Sequence, residues 1–243
     1  MKAILWDMDG TLVDTEPKWG QATYTMCSEM GRELTPEVRE STVGGIAENT
    51  VRICADWAGL TLDDAALHHW VDRLYTIVSE LFSADLPFRP GIPELLAEGA
   101  ATLPMMVVTN TYRSLTDRAL QTIGADRFVG SVCGDEVAHG KPAPEPYLRA
   151  CQLLGLAPAD CLVVEDSTNG MRSAVAAGCR VLGVPSPGNP VPTGAVDIVD
   201  LRRPPAGDSG DRPGKCSGLA ELTVSDLRDM WGRIGVPTAD VPQ

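Results

Sequence analysis

Four apolar residues in a row, Ala3-Ile4-Leu5-Trp6, open the chain. The run is too short for a helix and shows no wet face. It predicts a strand buried on both sides. Similar runs recur at Met105-Met106-Val107-Val108, Leu162-Val163-Val164 and Val181-Leu182-Gly183-Val184, with a weaker one at Val129-Gly130-Ser131-Val132. Segments of helical spacing separate them: Gly91 to Ala101 with Ile92, Leu95 and Leu96; Ser114 to Ile123; Pro144 to Leu154; and Asn169 to Ala177. Pro93 stands near the start of its segment, where the missing N–H costs nothing. Strands alternating with helices predict an α/β domain with a mostly parallel sheet.

The stretch from 16 to 86 breaks the alternation. It carries no strand pattern, and its spacing predicts helices over Pro17 to Met30, Ala47 to Trp57 and Asp63 to Phe82, the last in one piece or two. An all-helical insertion after the first strand predicts a lid, with linkers at Thr15-Glu16 and Leu86-Pro87-Phe88. The expected division is therefore a core of 1–15 and 87–243 and a helical cap of 16–86. Arg202 to Gly218 is dense in Pro, Gly and charge and predicts a mobile surface loop. Thr223 to Ile234 predicts a last helix.

Composition narrows the function. The 243 residues carry a net charge of −13, which argues against a general nucleic-acid binder because phosphate neutralisation needs a basic surface. An anionic small molecule stays admissible, since one Lys and a cation can reverse the field in a cleft. The seven Cys are scattered and form no CxxC pair, as expected for free thiols in a reducing compartment. No segment approaches the ~20 apolar residues of a membrane helix. The expectation is a cytoplasmic protein, monomer or dimer, that meets neither nucleic acid nor membrane.

The chemistry gathers at strand ends. Asp7-Met8-Asp9-Gly10-Thr11 follows the first strand directly. Two carboxylates so placed repel each other and call for a cation, such as oxygen-ligated Mg²⁺. A plain acidic turn is the alternative. Thr109 and Asn110 end the second strand, where the Thr hydroxyl and the Asn110 N–H suit a phosphate oxygen or merely cap a helix. Gly140-Lys141-Pro142 offers one Lys, which alone reads as a surface charge. Glu165-Asp166-Ser167 puts two more acids at a strand end, where helix capping is the plain account. Open parallel sheets bind ligands at this edge, and the convergence favours a site over four separate coincidences.

Together the four motifs resemble those of the haloacid dehalogenase superfamily, in order and spacing, over nearly the whole chain to about residue 200. The likeness is to its helical-cap phosphatases and the related β-phosphoglucomutases. It implies a Rossmann-like core, a helical cap and a Mg²⁺ cofactor. It further implies that Asp7 attacks phosphorus and that Asp9 serves as general acid and then base. Thr109 and Lys141 would hold the phosphoryl group. The metal would sit on Asp7, the carbonyl of Asp9 and Asp166, with Glu165 a ligand or a supporting residue. The second Asp of the first motif speaks against dehalogenation. Trp19 stands where β-phosphoglucomutases carry a cap His, and the cap loop Thr42 to Asn49 has no positive charge. Hydrolysis of sugar or polyol phosphates is therefore expected, with Gly45, Ile46, Glu48, Asn49 and Trp19 meeting the substrate. Mutase activity and a non-catalytic binding domain are the two alternatives.

Overall fold

The computed structural model describes residues 1–43, 45–82, 86–186, 188–202 and 218–237. The expected loop at 202–218 falls almost wholly outside them, as do Gly44 of the cap loop, Cys216 and the end of the tail.

Among the described residues six strands form one sheet: β1 Ala3–Trp6, β2 Met105–Val108, β3 Gly130–Val132, β4 Cys161–Glu165, β5 Arg180–Gly183 and β6 Ala195–Asp197. Their order is β3-β2-β1-β4-β5-β6, and every pair is parallel. This is the doubly wound, Rossmann-like α/β arrangement, whose order reverses beside β1. The helices are α1 Glu16–Glu29, α2 Pro36–Glu40, α3 Ala47–Ala58, α4 Asp64–Phe82, α5 Ile92–Ala100, α6 Arg113–Ile123, α7 Glu145–Leu154, α8 Thr168–Ala176, α9 Ile198–Arg202 and α10 Val224–Arg233.

By contact the chain divides into two compact units. The first holds Met1–Val13, Phe88–Arg113 and the chain from Ile123 onward; the second holds Asp14–Pro87 and Ser114–Thr122.

In the first unit β1, β2 and β4 are buried throughout, because helices cover both sheet faces. On one face Ala3, Leu5, Met106, Val108, Val163 and Val181 pack with Tyr147, Ala150 and Cys151 of α7 and with Met171 and Ala174 of α8. Each such side chain contributes roughly 1.5–3 kcal/mol by leaving water. On the other face the indole N–H of Trp6 reaches Met105 Sδ at 3.3 Å, and Leu95 and Leu96 of α5 are fully buried. Helix α10 starts with reciprocal caps: the Thr223 hydroxyl accepts from the Asp226 N–H, and the Asp226 carboxylate accepts from the Thr223 N–H. It ends under Arg180, whose guanidinium lies 4.0 Å over the Trp231 ring and donates to the Trp231 and Ile234 carbonyls at 2.8 Å. These are the terminal carbonyls a helix leaves unmet.

The second unit is a small bundle. Met26 of α1, Val51 and Cys54 of α3 and Leu67, Val71, Leu74 and Val78 of α4 are buried, at the spacing of an amphipathic stripe. The Asp63–Phe82 pattern is one continuous helix, α4. Helix α2 escapes the pattern reading, being one turn without apolar period; Thr35 caps it and Pro36 opens it. Strand β6 and helix α9 were also not foreseen, at three and five residues.

The segment between the units' first boundaries leaves and returns at one place. Val13 bridges Phe88 in antiparallel fashion, the Arg89 N–H donates to the Leu12 carbonyl at 3.0 Å, and the Asp14 N–H donates to the Pro87 carbonyl at 2.9 Å.

Candidate active site

Strand register assembles the site. Trp6 pairs with Val107 on one side and Val164 on the other, so Asp7, one residue on, stands between the ends of β2 and β4. Its N–H is fixed on the Val164 carbonyl at 3.1 Å. Gly10 turns the chain at φ +86°, a region that L side chains avoid. A Cβ there would also collide with the Asp166 carboxylate.

Lys141 is the hub. It is 4% exposed, and its ammonium donates to Asp7 Oδ1 at 2.7 Å, the Val108 carbonyl at 2.8 Å and Glu165 Oε1 at 2.5 Å. Burial alone would lower its pKa, but Asp7 and Glu165 outweigh burial and hold it above the ordinary lysine value. Asn110 fixes the backbone beneath: its Oδ1 accepts from the Lys141 N–H at 2.8 Å and its Nδ2 donates to the Lys141 carbonyl at 3.1 Å. The phosphate contact expected of Asn110 uses its N–H, which leaves its side chain to this second role.

Glu165 is fully buried and saturated. Its Oε1 accepts from Lys141 and from the Tyr147 hydroxyl at 3.1 Å, and its Oε2 accepts from the Ser167 N–H and hydroxyl, both at 3.0 Å. A carboxylate has about four lone-pair sites, and these four donors tie Glu165 to Lys141 within a cluster of carboxylates, Asp7, Glu165 and Asp166, that could hold a cation. Tyr147 lies on the buried face of α7. Burial first, then Glu165, raises its pKa well above the ordinary value and keeps the hydroxyl a donor.

Asp166 accepts from the Thr11 hydroxyl at 3.3 Å and the Ser186 hydroxyl at 2.7 Å. Ser186 was not foreseen; it lies in a Pro-rich stretch without a motif. Asp9 Oδ2 accepts from the hydroxyls of Thr109 at 3.1 Å and Thr111 at 2.8 Å. The structure thus gathers Asp7, Asp9, Thr109, Asn110, Lys141, Glu165 and Asp166. Trp19, Gly45, Ile46, Glu48 and Asn49 belong to the second unit. There Trp19 packs edge-on to Tyr75, with ring centroids 5.8 Å apart. The loop's lack of charge is qualified by the fold: Arg39 donates to the Thr42 hydroxyl at 2.8 Å, while Glu16 pairs with the same guanidinium.

The carboxylates suit a divalent cation. Oxygens of Asp7, Glu165 and Asp166 lie within 4.8 Å of one another, and Asp7 Oδ2 is buried without a hydrogen-bond partner. A bare buried carboxylate oxygen is costly unless paired, and hard cations take such oxygens. Burial first, then Glu165, lifts Asp166 to about 6, and the same two causes push Asp7 well up against the opposing charge of Lys141. A carboxyl whose pKa is raised by folding adds stability below its unfolded value, and that stability is lost as pH rises through the folded value. Asp166→Asn has no such charge to acquire. In EDTA it is expected to gain on the wild type by roughly 1 kcal/mol or more as pH rises from about 4 to about 7. Denaturant unfolding across that range reads the difference, and parallel pH curves for the two proteins would contradict it.

The six described cysteines are buried free thiols. His68 Nδ1 lies 2.6 Å from the Asp64 carbonyl, and His69 meets Trp70 edge-on. No helix among the described residues is long and apolar enough to cross a membrane.

The chain is similar to known proteins. The family model for haloacid dehalogenase-like hydrolases matches residues 1–178. Protein CbbY of Cupriavidus necator is 34% identical over 200 residues, covering 76% of this chain and 79% of its own. The N-acetylmuramic acid 6-phosphate phosphatase of Pseudomonas aeruginosa is 35% identical over 215 residues, covering 84% and 92%. The crystal structure of CbbY from Rhodobacter sphaeroides in complex with phosphate superimposes with a TM-score of 0.75 at 24% identity, covering 94% and 99%, which is a likeness of fold.

Proposed function

This chain belongs to the haloacid dehalogenase-like hydrolases, and from that membership we propose that it is a Mg²⁺-dependent phosphatase of sugar or polyol phosphates that works through an aspartyl-phosphate on Asp7. The observation that carries the reading is the state of Asp7. One carboxylate oxygen is held by Lys141, and the other is buried and unpartnered at the carboxyl end of β1.

In the first step a carboxylate oxygen of Asp7 bonds to phosphorus and the bond to the leaving oxygen breaks. Asp9 gives that oxygen its proton. In the second, Asp9 takes a proton from water as the water oxygen bonds to phosphorus, and Asp7 is released. Thr109 and Lys141 donate to the transferring group, and Lys141 keeps its position because Glu165 and Asn110 fix its head and its backbone. A cation on Asp7, Asp166 and the Asp9 carbonyl would offset phosphoryl charge when bound. The helical unit's Trp19, Gly45, Ile46, Glu48 and Asn49 read the leaving group. Arg39 is neutralised by Glu16, which supports a neutral, hydroxyl-rich leaving group over a second phosphate.

The test is phosphate release across a panel of phosphorylated metabolites with Mg²⁺ or EDTA. Release is expected to require Mg²⁺ and to fall by about 10³-fold or more in Asp7→Asn. Isomerisation of a sugar phosphate without net phosphate release would replace the hydrolase reading.

A further inference from the structure

We propose that Thr111 is a positioning residue for Asp9, keeping the general acid in place when the Thr109 hydroxyl turns to the phosphoryl group. The inference rests on the phosphatase reading above and concerns the same site.

Thr109 and Thr111 are 1% and 5% exposed, and both hydroxyls donate to one oxygen of Asp9. A hydroxyl has a single proton to give. Thr109 therefore cannot donate to Asp9 and to a phosphoryl oxygen together. Its oxygen is meanwhile fixed by the Thr111 N–H at 3.0 Å. Once Thr109 serves the phosphoryl group, the Thr111 hydroxyl still holds Asp9, and at 2.8 Å it is the shorter of the two contacts. Thr111 is itself anchored. Its carbonyl accepts from the Gly134 N–H at 3.1 Å, and its β-branched side chain has few rotamers. A small misplacement of a catalytic group is costly in rate, so this hydroxyl governs how well Asp9 meets the leaving oxygen.

The signature is dependence on the leaving group. An alkoxide needs a proton to depart, whereas p-nitrophenolate does not. The experiment measures release of the leaving alcohol in a single turnover, with the Mg²⁺-loaded enzyme in excess, so that only transfer to Asp7 is read. The substrates are p-nitrophenyl phosphate and the best alkyl phosphate of the panel. Thr111→Val is expected to slow the alkyl ester on the order of 10- to 100-fold and p-nitrophenyl phosphate by less than about threefold. Thr111→Ser, which keeps the hydroxyl, is expected to return the alkyl rate to within about threefold of wild type. Asp9→Asn should show the same selectivity, more strongly. Equal slowing of both esters, no slowing, or no recovery with Ser overturns the role of Thr111 while leaving the phosphatase reading intact. Wild type without Mg²⁺- and Asp7-dependent turnover overturns that reading and the inference with it.

Discussion

Lys141→Met is expected to lose about 3–5 kcal/mol of stability in EDTA and about 10³-fold or more in turnover with Mg²⁺. Among the described residues its ammonium is bonded to both Asp7 and Glu165. Methionine fills the volume but leaves the cluster of Asp7, Glu165 and Asp166 without its compensating charge. Removing one partner of a buried ion pair is costly because the other keeps its charge where water cannot reach it. A divalent cation on Asp7 and Asp166 would replace part of that compensation, so Mg²⁺ is expected to recover stability in the variant without recovering turnover. Thermal unfolding with Mg²⁺ or EDTA, beside the phosphate assay, separates the two. A variant as stable as wild type in EDTA would show that the carboxylates are not charged together and would remove Lys141 from its central place.

Gly170→Ala is expected to be nearly as damaging, against the usual sign. In a helix interior this change ordinarily stabilises by roughly 0.5–1 kcal/mol. Here the added Cβ would overlap the Glu165 carboxylate. That carboxylate cannot simply swing aside, since Lys141, Tyr147 and Ser167 all donate to it. It must give up those bonds or push α8 away from the sheet. The expected cost is about 2–4 kcal/mol, with turnover falling because Lys141 loses its brace. A double-mutant cycle with Glu165→Ala checks the cause. If the clash is with this carboxylate, the double variant is much less destabilised than the sum of the two singles. Additive losses would place the damage elsewhere in α8.

Sequence and fold agree where the pattern is long or chemically loaded. The runs at 3–6, 105–108 and 162–164 announce buried parallel strands because both sheet faces are covered, so no polar alternation interrupts them. The candidates Asp7, Asp9, Thr109, Glu165 and Asp166 stand out in the sequence because each follows or ends a strand, and Lys141 because it precedes a helical segment. What escaped had no local signal. Tyr147 lies on the apolar face of α7, and only the fold shows its hydroxyl reaching Glu165. Ser186 and Thr111 are common polar residues whose partners, Asp166 and Asp9, are distant in sequence. The Asn110 side chain meets Lys141, thirty-one residues on, through an approach of loops that no periodicity encodes. Glu165 illustrates the other kind of gap: its sequence position is consistent with a metal ligand and with a brace, and its four donors, from Lys141, Tyr147 and Ser167, come from three separate segments that the strand-end motif does not show.

The joint at Val13 and Phe88 has a consequence for how such a protein changes over generations. The ribbon of Leu12-Val13-Asp14 against Pro87-Phe88-Arg89 closes the chain before the helical insert begins and after it ends. The insert is thus a long excursion whose two feet are already tied. For such a loop, doubling the length costs only about 0.6 kcal/mol in closure, and neighbouring termini make insertion tolerable. Helices can be added, trimmed or exchanged above that knot while the strands that carry Asp7 and Asp166 keep their register. Diversification of substrate range and preservation of the phosphoryl-transfer floor are then separate problems, open to recombination one at a time, and a chimaera cut at these two feet exchanges Asp14–Pro87 whole and leaves Ser114–Thr122 of the same unit behind.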